Sequence, residues 1–497
     1  MTPVILSVLS AVLLSLSFSS FNLWLLAWVG FIPLLISLEN GSVLRSFFVA
    51  YLWGVIFWVI TIYWLVHVTL LGQAILILYL ALYSGLFGCL VYLCRSYPVR
   101  VSLFFIPASW VLLEYLRSYL FTGFPWALMG LSQYRNLALI QISDITGSWG
   151  VSFLVIMVNA GIYFSLRRRL KKTDLLICLS ILFLSAGYGF YRLSHRPELR
   201  MDKEWLKVSV IQGNIPQELK WDKGSASGIL DDYLELSRKA AGEDNPGLII
   251  WPEASVPFVW GDRFSDTQFR RIFSLAKDLK TALLVGSLSR LGVSYFNSAL
   301  FVDKFGQPEK IYNKIHLVPF GEFVPLKDVF PFLRSIAPIG DIEPGREPVV
   351  FASPADFSVL ICFEDLFPEL SREFVKKGAR FLVNITNDAW YKKSSAPYQH
   401  LAASVFRAVE NRVNLVRSAN TGISGFIDPC GRLSSTVQDR SGRQIFVRGY
   451  NSKNLCLLSQ GRTVYNHYGD IFILLCLSFE IYSAVIYSRK RLAARPF

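Results

Sequence analysis

The hexapeptide Val359-Leu-Ile-Cys-Phe-Glu364 is an apolar run that ends in a thiol and a carboxylate. Such a run is typical of a buried strand in a layered α/β protein, which places its reactive residues where strands end. Two other segments have the same design. Leu248-Ile-Ile-Trp-Pro-Glu253 ends in a carboxylate, and Lys310-Ile-Tyr-Asn-Lys314 ends in an amine. Together they present the groups that a cysteine nucleophile needs, namely a base and a nearby cation.

The region around these segments, from Trp205 onward, alternates short β-branched runs with polar helical stretches. This pattern indicates a layered α/β domain. Six runs are predicted to be buried strands: Val208–Gln212, Leu248–Trp251, Ala282–Val285, Ser298–Val302, Ser358–Cys362 and Phe381–Ile385.

Each reactive residue also has a plainer interpretation when it is considered alone. A single cysteine after an apolar strand is usually buried filler, a lysine near Tyr312 and His316 is usually a surface charge, and a glutamate after Trp-Pro suits a turn. Considered singly, the residue types favour the plainer interpretation for Glu253, Lys314 and Cys362.

The rest of the chain is dominated by apolar stretches. Of its 497 residues, 53% are hydrophobic, which is too high for an ordinary soluble enzyme unless the excess is concentrated. It is concentrated before Tyr191 and again near Ile471. A helix needs about 20 apolar residues to cross a bilayer, and eight stretches are predicted to do so. They are Val4–Phe18, Leu23–Leu38, Phe47–Val66, Gln73–Leu93, Val101–Leu120, Ile140–Leu166, Leu175–Tyr191 and Ile471–Tyr487.

The first stretch could instead be a signal peptide, but residues 1–3 carry no basic side chain and a second apolar stretch follows almost at once. We therefore predict a seven-helix transmembrane domain at 1–192, a soluble catalytic domain at 193–468, and a final transmembrane helix with a basic tail at 469–497.

The basic residues set the orientation of these helices. A net charge of +14 would suit nucleic-acid binding, but the charges cluster between apolar stretches and not on a polar surface. The basic residues lie in three of the loops between apolar stretches and in the C-terminal tail, whereas the loops that alternate with these three hold only Arg135. This bias predicts cytoplasmic termini and an external position for Arg192–Asp470. The basic positions are Arg45, Arg95, Arg100, Arg167, Arg168, Arg169, Lys171, Lys172, Arg489, Lys490, Arg491 and Arg495.

Other polar residues have modest interpretations. Glu114 and Arg117 lie three apart within an apolar stretch and are predicted to form an intrahelical ion pair. The seven cysteines suggest neither a disulfide framework nor a zinc site, although a bond between Cys430 and Cys456 is left open.

Several separated strings, taken in order, resemble the apolipoprotein N-acyltransferase family, a membrane-bound branch of the nitrilase superfamily. The resemblance covers essentially the whole chain, and the string that begins at Tyr312 is the most specific. The matching strings are Gln212-Gly-Asn-Ile-Pro with Trp221, Trp251-Pro-Glu-Ala-Ser, Tyr312-Asn-Lys-Ile-His-Leu-Val-Pro-Phe-Gly-Glu-Phe-Val-Pro325, Ile361-Cys-Phe-Glu364 with Phe367-Pro-Glu369, Asn384-Ile-Thr-Asn-Asp-Ala-Trp390 and Arg417-Ser-Ala-Asn-Thr-Gly-Ile423.

This resemblance implies an α-helical multi-pass membrane domain joined to an α/β nitrilase-like soluble domain, an αββα sandwich. It implies a triad in which Glu253 is the general base, Lys314 stabilises the oxyanion and Cys362 is the nucleophile. The supporting or substrate-binding residues that it implies are Glu322, Glu364, Phe363, Trp221 and Trp390. Phe363 stands where many members have tyrosine, so this chain lacks that hydroxyl.

The implied reaction transfers an acyl chain from a phospholipid, through a Cys362 thioester, to the free amine of a diacylated lipoprotein. It implies no metal and no organic cofactor. The expected enzyme is a monomer in the bacterial inner membrane with its catalytic domain in the periplasm.

Two alternatives remain at this point. An amidase would share the triad and hydrolyse its thioester with water, but a soluble amide gives no reason for eight membrane spans. A transporter with an external domain would predict charged or broken helices along a pathway. The apolar stretches contain few ionisable residues, which disfavours it.

Overall fold

The chain folds into two units. The computed structural model describes residues 2–18, 20–21, 23–195, 204–220, 222, 224–324, 342–457 and 462–493. A helical unit comprises Met1–His195 and His467–Phe497, and an α/β unit comprises Arg196–Asn466. The apolar stretches thus belong to the first unit and the three strand-end motifs to the second.

The helical unit is built from apolar helices. Among the described residues, five of them, α3, α4, α5, α8 and α9 as defined next, are long and apolar enough to cross a membrane. The helices up to residue 194 are α1 (Thr2–Leu16), α2 (Ile32–Ser37), α3 (Val43–Thr61), α4 (Leu70–Cys94), α5 (Val99–Tyr119), α6 (Leu137–Ile140), α7 (Ser143–Thr146), α8 (Ser148–Leu166) and α9 (Lys172–Ser194).

Three of the predicted spans are wrong as continuous helices. Phe47–Val66 is divided after Thr61, where α3 ends and a 3₁₀ turn follows at Tyr63–His67. Leu23–Leu38 is divided into a 3₁₀ turn at Trp24–Trp28 and the short helix α2. Pro33 lies in the first turn of α2, where a proline is tolerated. Because it has no N–H to donate to the preceding turn, a helix cannot continue through it from Trp28. Ile140–Leu166 is divided at Gly147, whose φ of +65° ends α7 and precedes α8. Apolarity alone signals none of these breaks.

The predicted ion pair between Glu114 and Arg117 is also wrong. Both side chains are buried on α5, but each binds backbone groups of the segment that follows the helix. The Glu114 carboxylate accepts a hydrogen bond from the Met129 N–H at 2.6 Å. The Arg117 guanidinium donates to the carbonyls of Phe124 and Trp126 at 2.7 and 2.8 Å. These charges satisfy irregular backbone inside an apolar unit, where no water would do so.

The α/β unit contains two sheets and the helices that cover them. Its strands are β1 (Glu204–Gln212), β2 (Leu248–Ile250), β3 (Val256–Trp260), β4 (Ala282–Leu291), β5 (Ser294–Val302), β6 (Pro308–Asn313), β7 (Phe357–Ile361), β8 (Phe381–Thr386), β9 (Asn414–Ala419), β10 (Gly425–Ile427), β11 (Leu433–Thr436) and β12 (Gly449–Leu457). Its helices are α10 (Ala226–Asp244), α11 (Asp266–Leu279), α12 (Pro368–Lys376) and α13 (Ala396–Asn411). The chain closes with α14 (Val464–Tyr468) and α15 (Ile471–Ala493).

The sheets form the two inner layers of an αββα sandwich. The first sheet has the order β12-β1-β2-β4-β5-β6, with β3 beside β4, and the second has the order β11-β10-β9-β8-β7. α10 and α11 pack their apolar faces on the first sheet, and α12 and α13 pack on the second. The Ser418 hydroxyl of β9 contacts the carbonyls of Ile211 and Ile250, 3.0 and 3.1 Å away in the first sheet. The predicted fold class is confirmed, and all six predicted strands are present.

Candidate active site

The three reactive side chains each follow the end of a strand. Glu253 lies three residues after β2, Lys314 directly follows β6, and Cys362 directly follows β7. Cys362 has a φ of +54°, a left-handed conformation that is uncommon for a residue with a side chain. It begins a 3₁₀ turn that ends at Leu366, so the chain leaves the sheet at the thiol. Strain of this kind persists only where the surroundings hold it in place.

Lys314 lies between two carboxylates. Its Nζ is 2.8 Å from Glu322 Oε2 and 3.6 Å from Glu253 Oε1. The Asn297 amide donates to both carboxylates, at 2.7 Å to Glu253 and 2.6 Å to Glu322. All four side chains are buried, so these charge-assisted contacts fix the position of the base relative to the cation.

The charge of Lys314 is set by these neighbours. Burial by itself lowers the pKa of Lys314, because a low dielectric disfavours the ammonium form. The Glu322 and Glu253 carboxylates outweigh burial, and the pKa of Lys314 is raised above its ordinary value. Lys314 is therefore an ammonium at neutral pH, which suits the stabilisation of an anion and not the removal of a proton.

Cys362 belongs to the same electrostatic cluster. Its side chain is 7% exposed. Burial raises the pKa of the Cys362 thiol well above its ordinary value, and the Glu253 and Asp388 carboxylates raise it further, whereas Lys314 lowers it. The resting form is a thiol, so attack on a substrate requires that a base remove its proton. The carboxylate of Glu253 is the group of this cluster that is suited to do so.

Glu364 joins the Lys314 segment to the Cys362 turn. One carboxylate oxygen accepts hydrogen bonds from the Tyr312 hydroxyl at 2.8 Å and from the Ile315 and His316 N–H groups at 2.7 and 3.1 Å. The other accepts from the Ile361 N–H at 2.7 Å. Burial raises the pKa of Glu364 to about 7, although these donors oppose the rise. Glu364 therefore acts as a clamp between two strand ends.

A buried ionic network lies next to Cys362, and its members are not among the predicted site residues. The imidazole of His400 contacts Asp365 through Nε2 at 2.8 Å and Asp388 through Nδ1 at 3.0 Å. Arg417 pairs with the same two carboxylates at 3.1 and 3.2 Å. His400 Nε2 also lies 3.2 Å from the Cys362 carbonyl oxygen. The network thus reaches the backbone of the strained turn.

The charges of this network balance. Burial lowers the pKa of His400, but Asp365 and Asp388 outweigh it and raise the pKa to about 9. Burial raises the pKa of Asp388, yet Arg417 and His400 lower it to about 2. Arg417 Nη2 lies 2.9 Å from His400 Nδ1 and opposes the rise in the His400 pKa, but the two carboxylates outweigh it. Two carboxylates thus face one imidazolium and one guanidinium, which makes the burial of four ionised groups tolerable.

Other residues of the site were also missed. Asn387 donates its backbone N–H to Glu253 Oε2 at 2.8 Å, and Lys220 donates to the Glu253 carbonyl at 3.0 Å. One signal was available in the sequence: Arg417 interrupts the apolar run of β9, and a charge inside a buried strand requires a partner. For Asn297, Asn387 and Lys220 no such local signal exists.

The three predicted aromatic residues have different outcomes. Phe363 is buried and packs edge-on against Phe367, with ring centroids 5.2 Å apart. Trp390 is 44% exposed, so core packing does not explain it. Trp221 lies outside the described residues, as does Pro325 at the end of the most specific string. No disulfide joins Cys430 and Cys456, which were left open as a pair, or any other two cysteines of the described residues.

The α/β sandwich is the fold of a carbon-nitrogen hydrolase. Residues 207–450 match the family model described as Carbon-nitrogen hydrolase. A solved structure of a mutant amidase of the nitrilase superfamily from Nesterenkonia is similar, with a TM-score of 0.40 and 18% identity, covering 54% of this chain and 96% of that one.

The helical unit and full-length relatives narrow this class. Residues 10–161 match the family model described as Apolipoprotein N-acyltransferase N-terminal domain. The apolipoprotein N-acyltransferase of Geobacter metallireducens is 39% identical, covering 98% of this chain and 95% of the relative. That of Rickettsia prowazekii is 33% identical over 75% of this chain and 74% of its own, and that of Haemophilus influenzae is 29% identical over 98% and 96%. The chain belongs to the apolipoprotein N-acyltransferase family. It is a membrane-bound bacterial acyltransferase, and the transporter alternative is discarded.

Proposed function

We propose that this acyltransferase moves an acyl chain from a phospholipid to the free α-amine of a diacylglyceryl-cysteine, through a thioester on Cys362. The observation that carries the proposal is the buried Glu253–Lys314 pair, whose charges both act on the Cys362 thiol. A base, a permanent cation and a thiol held together are the minimum set for acyl transfer through a covalent intermediate.

In the first step, Glu253 takes the proton of Cys362 as the sulfur attacks the ester carbonyl carbon of the phospholipid. The oxygen of that carbonyl becomes an anion, which the Lys314 ammonium stabilises. The carbon–oxygen ester bond then breaks, and Glu253 returns the proton to the departing alcohol. The products are a lysophospholipid and a thioester on Cys362.

In the second step, the lipoprotein amine attacks the thioester carbonyl and again generates an anion near Lys314. The carbon–sulfur bond breaks as the amide forms, and a proton from the amine reaches the sulfur through Glu253. The thioester allows one site to serve two bulky lipids in turn, because only one of them must be bound at the reacting carbon at a time.

The supporting residues have distinct roles in this scheme. Glu322 holds the Lys314 ammonium from its other side, and Glu364 fixes the Lys314 segment against the Cys362 turn. Trp390, which is part-exposed, contributes apolar surface for the lipid substrates, whereas the buried Phe363 ring packs against Phe367 and supports the Cys362 turn. Trp221 has the same role as Trp390, by resemblance alone.

The proposal includes an arrangement in the cell. The boundaries 1–192, 193–468 and 469–497 separate membrane, catalytic and anchoring parts of a monomer. The basic loops and tail are cytoplasmic, and the catalytic domain lies on the periplasmic side of the inner membrane.

The function can be tested with a phospholipid that carries a radiolabelled acyl chain. The purified full-length protein is incubated with this lipid in detergent micelles and separated from it under denaturing conditions. Label is expected on the wild type and on the C456A control, which removes another buried cysteine, but not on C362A.

The second half of the reaction is tested by adding a diacylated lipopeptide to the labelled protein. Label should move to the lipopeptide amine. Loss of label to water at the same rate with and without the lipopeptide would identify a hydrolase and contradict the proposal.

A further inference from the structure

A second buried lysine lies beside the reactive cluster and has no part in the mechanism described above. Lys220 is 2% exposed, and its Nζ donates a hydrogen bond to the Glu253 backbone carbonyl at 3.0 Å. Among the residues that the structure describes, no carboxylate lies within ion-pair distance of Lys220. A buried ammonium without a paired carboxylate is costly unless nearby negative charge compensates for it.

The segment that carries Lys220 is tied to the active site. The Gln217 side chain accepts a hydrogen bond from the Asn387 amide at 2.8 Å, and the backbone N–H of Asn387 donates to Glu253. The Asn420 side chain bonds both to Ile215, through that residue's backbone, and to Asn387. Lys220 is therefore held in position by the same groups that orient the base.

A charge count shows what Lys220 does there. Glu253 and Glu322 share the single ammonium of Lys314, which leaves one negative charge unbalanced. Transfer of the Cys362 proton to Glu253 moves negative charge to the sulfur and leaves the net charge of this buried space unchanged. The ammonium of Lys220, 3.0 Å from the Glu253 carbonyl oxygen, restores neutrality to the cluster before and after this transfer.

The other ionisable groups around Cys362 do not provide this charge. Asp388 is negative and is balanced by His400 and Arg417 in the network behind the thiol. Burial raises the pKa of the Tyr391 hydroxyl well above its ordinary value, so this hydroxyl is neutral. Burial lowers the pKa of Lys220 to about 8, against the opposing effect of Glu253, so the ammonium form predominates at pH 7.

We propose that Lys220 is a positioning residue that supplies the second positive charge of the active site, neutralising the carboxylate that Lys314 leaves unbalanced and so favouring the Cys362 thiolate. This inference rests on the proposed function, because it assumes that Cys362 is the nucleophile. The stabilisation of the Cys362 thiolate comes from the charge of Lys220 and not from its hydrogen bond to the Glu253 carbonyl.

The test is the rate of Cys362 alkylation by iodoacetamide at pH 7, where the Lys220 ammonium predominates. The full-length protein is alkylated in detergent micelles, and the modified Cys362 peptide is quantified by mass spectrometry, with C362A as the blank. Lys220→Gln keeps a donor for the Glu253 carbonyl but removes the charge. Labelling should be about tenfold slower in K220Q, from Coulomb interaction across a buried site. The difference should narrow between pH 7 and pH 9, as Lys220 of the wild type loses its proton. Lys220→Arg, which retains the charge, should keep the wild-type rate at pH 7.

Lys207→Gln is the matched control, because the Lys207 ammonium also donates to a backbone carbonyl, that of Asp244 at 2.6 Å. Its labelling rate should equal that of the wild type. A K220Q rate equal to that of the wild type at pH 7 would overturn the inference, as would a K220R rate as slow as that of K220Q. If K220Q does not fold, as judged by thermal unfolding, Lys220→Met, which also removes the charge, replaces it in the same comparison. Failure of the proposed function gives a different result: wild-type Cys362 would then carry no acyl group from phospholipid, whatever its alkylation rate.

Discussion

Arg417→Met removes the guanidinium that crosses the buried network behind Cys362. In the folded protein this group is fully buried and contacts Asp365, Asp388 and the Asn384 side chain at 3.1, 3.2 and 2.6 Å. The substitution leaves two buried carboxylates to share the single imidazolium of His400. Removal of one partner from a buried ion pair costs about 3–5 kcal/mol, because the other partner stays buried and uncompensated.

This cost is measurable as a shift in thermal unfolding. For a unit of this size, each kcal/mol corresponds to about 2–4 °C, so R417M should lower the unfolding midpoint by roughly 10 °C. The assay is intrinsic tryptophan fluorescence of the detergent-solubilised protein during heating. Acyl labelling of Cys362 below the midpoint should also fall, because His400 and Asn384 hold the carbonyl of the strained turn.

Arg448 provides the matched control for this prediction. It too pairs with two carboxylates, those of Asp232 and Glu235, at 3.0 and 2.8 Å, but the pairs are exposed. Exposed pairs contribute about 0–1 kcal/mol, so R448M should shift the midpoint by no more than about 3 °C. Equal shifts for R417M and R448M would refute the view that burial makes the Arg417 network essential.

Three further outcomes follow from the site. The pKa of His400 in the folded protein, about 9, exceeds its ordinary value of 6.5, so the contribution of His400 to stability is complete below pH 6.5 and is lost as the pH rises toward 9. The free energy of unfolding, measured with denaturant, should fall by about 3 kcal/mol over this window. The fall should be smaller in H400Q. Glu364→Gln replaces an acceptor oxygen with an NH₂ group that faces N–H donors in either orientation, so it should destabilise the protein by about 1–3 kcal/mol and abolish most Cys362 acylation, and an unchanged variant would contradict the clamp. At Gly422 an added Cβ would lie 2.0 Å from Asp388 Oδ2, so G422A should lower the unfolding midpoint and reduce labelling, whereas G228A, which meets open space in the first turn of α10, should be neutral or stabilising.

The sequence predicts the second unit well and the first unit less well. The six predicted strands are present because a short apolar run between polar segments has few other ways to bury its side chains. Leu23–Leu38 and Ile140–Leu166 were wrong as continuous helices because hydrophobicity reports burial in an apolar environment, and not the continuity of a hydrogen-bond ladder. Gly147 and Pro33 carry the missing information, but a glycine or proline in an apolar stretch is often tolerated within a helix.

The same distinction applies to the site. Glu253, Lys314 and Cys362 could be selected because each follows an apolar strand and lies in a string typical of one family. Asn297 and Lys220 could not, since their roles depend on distances to residues far away in the chain. Glu114 and Arg117 show the converse error, because helical spacing favoured a local pair while the unsatisfied backbone after α5 required both charges.

The central claim is that Glu253 and Cys362 act as one unit on a lipid ester. The most direct measurement is the intact mass of the Cys362 peptide after incubation of the full-length protein with a phospholipid of a single defined acyl chain. The account predicts one added acyl group on wild-type Cys362, removable by neutral hydroxylamine, and its near absence from Glu253→Gln at equal thermal stability. An acyl group on any other residue, or equal acylation of the wild type and E253Q, would contradict the account.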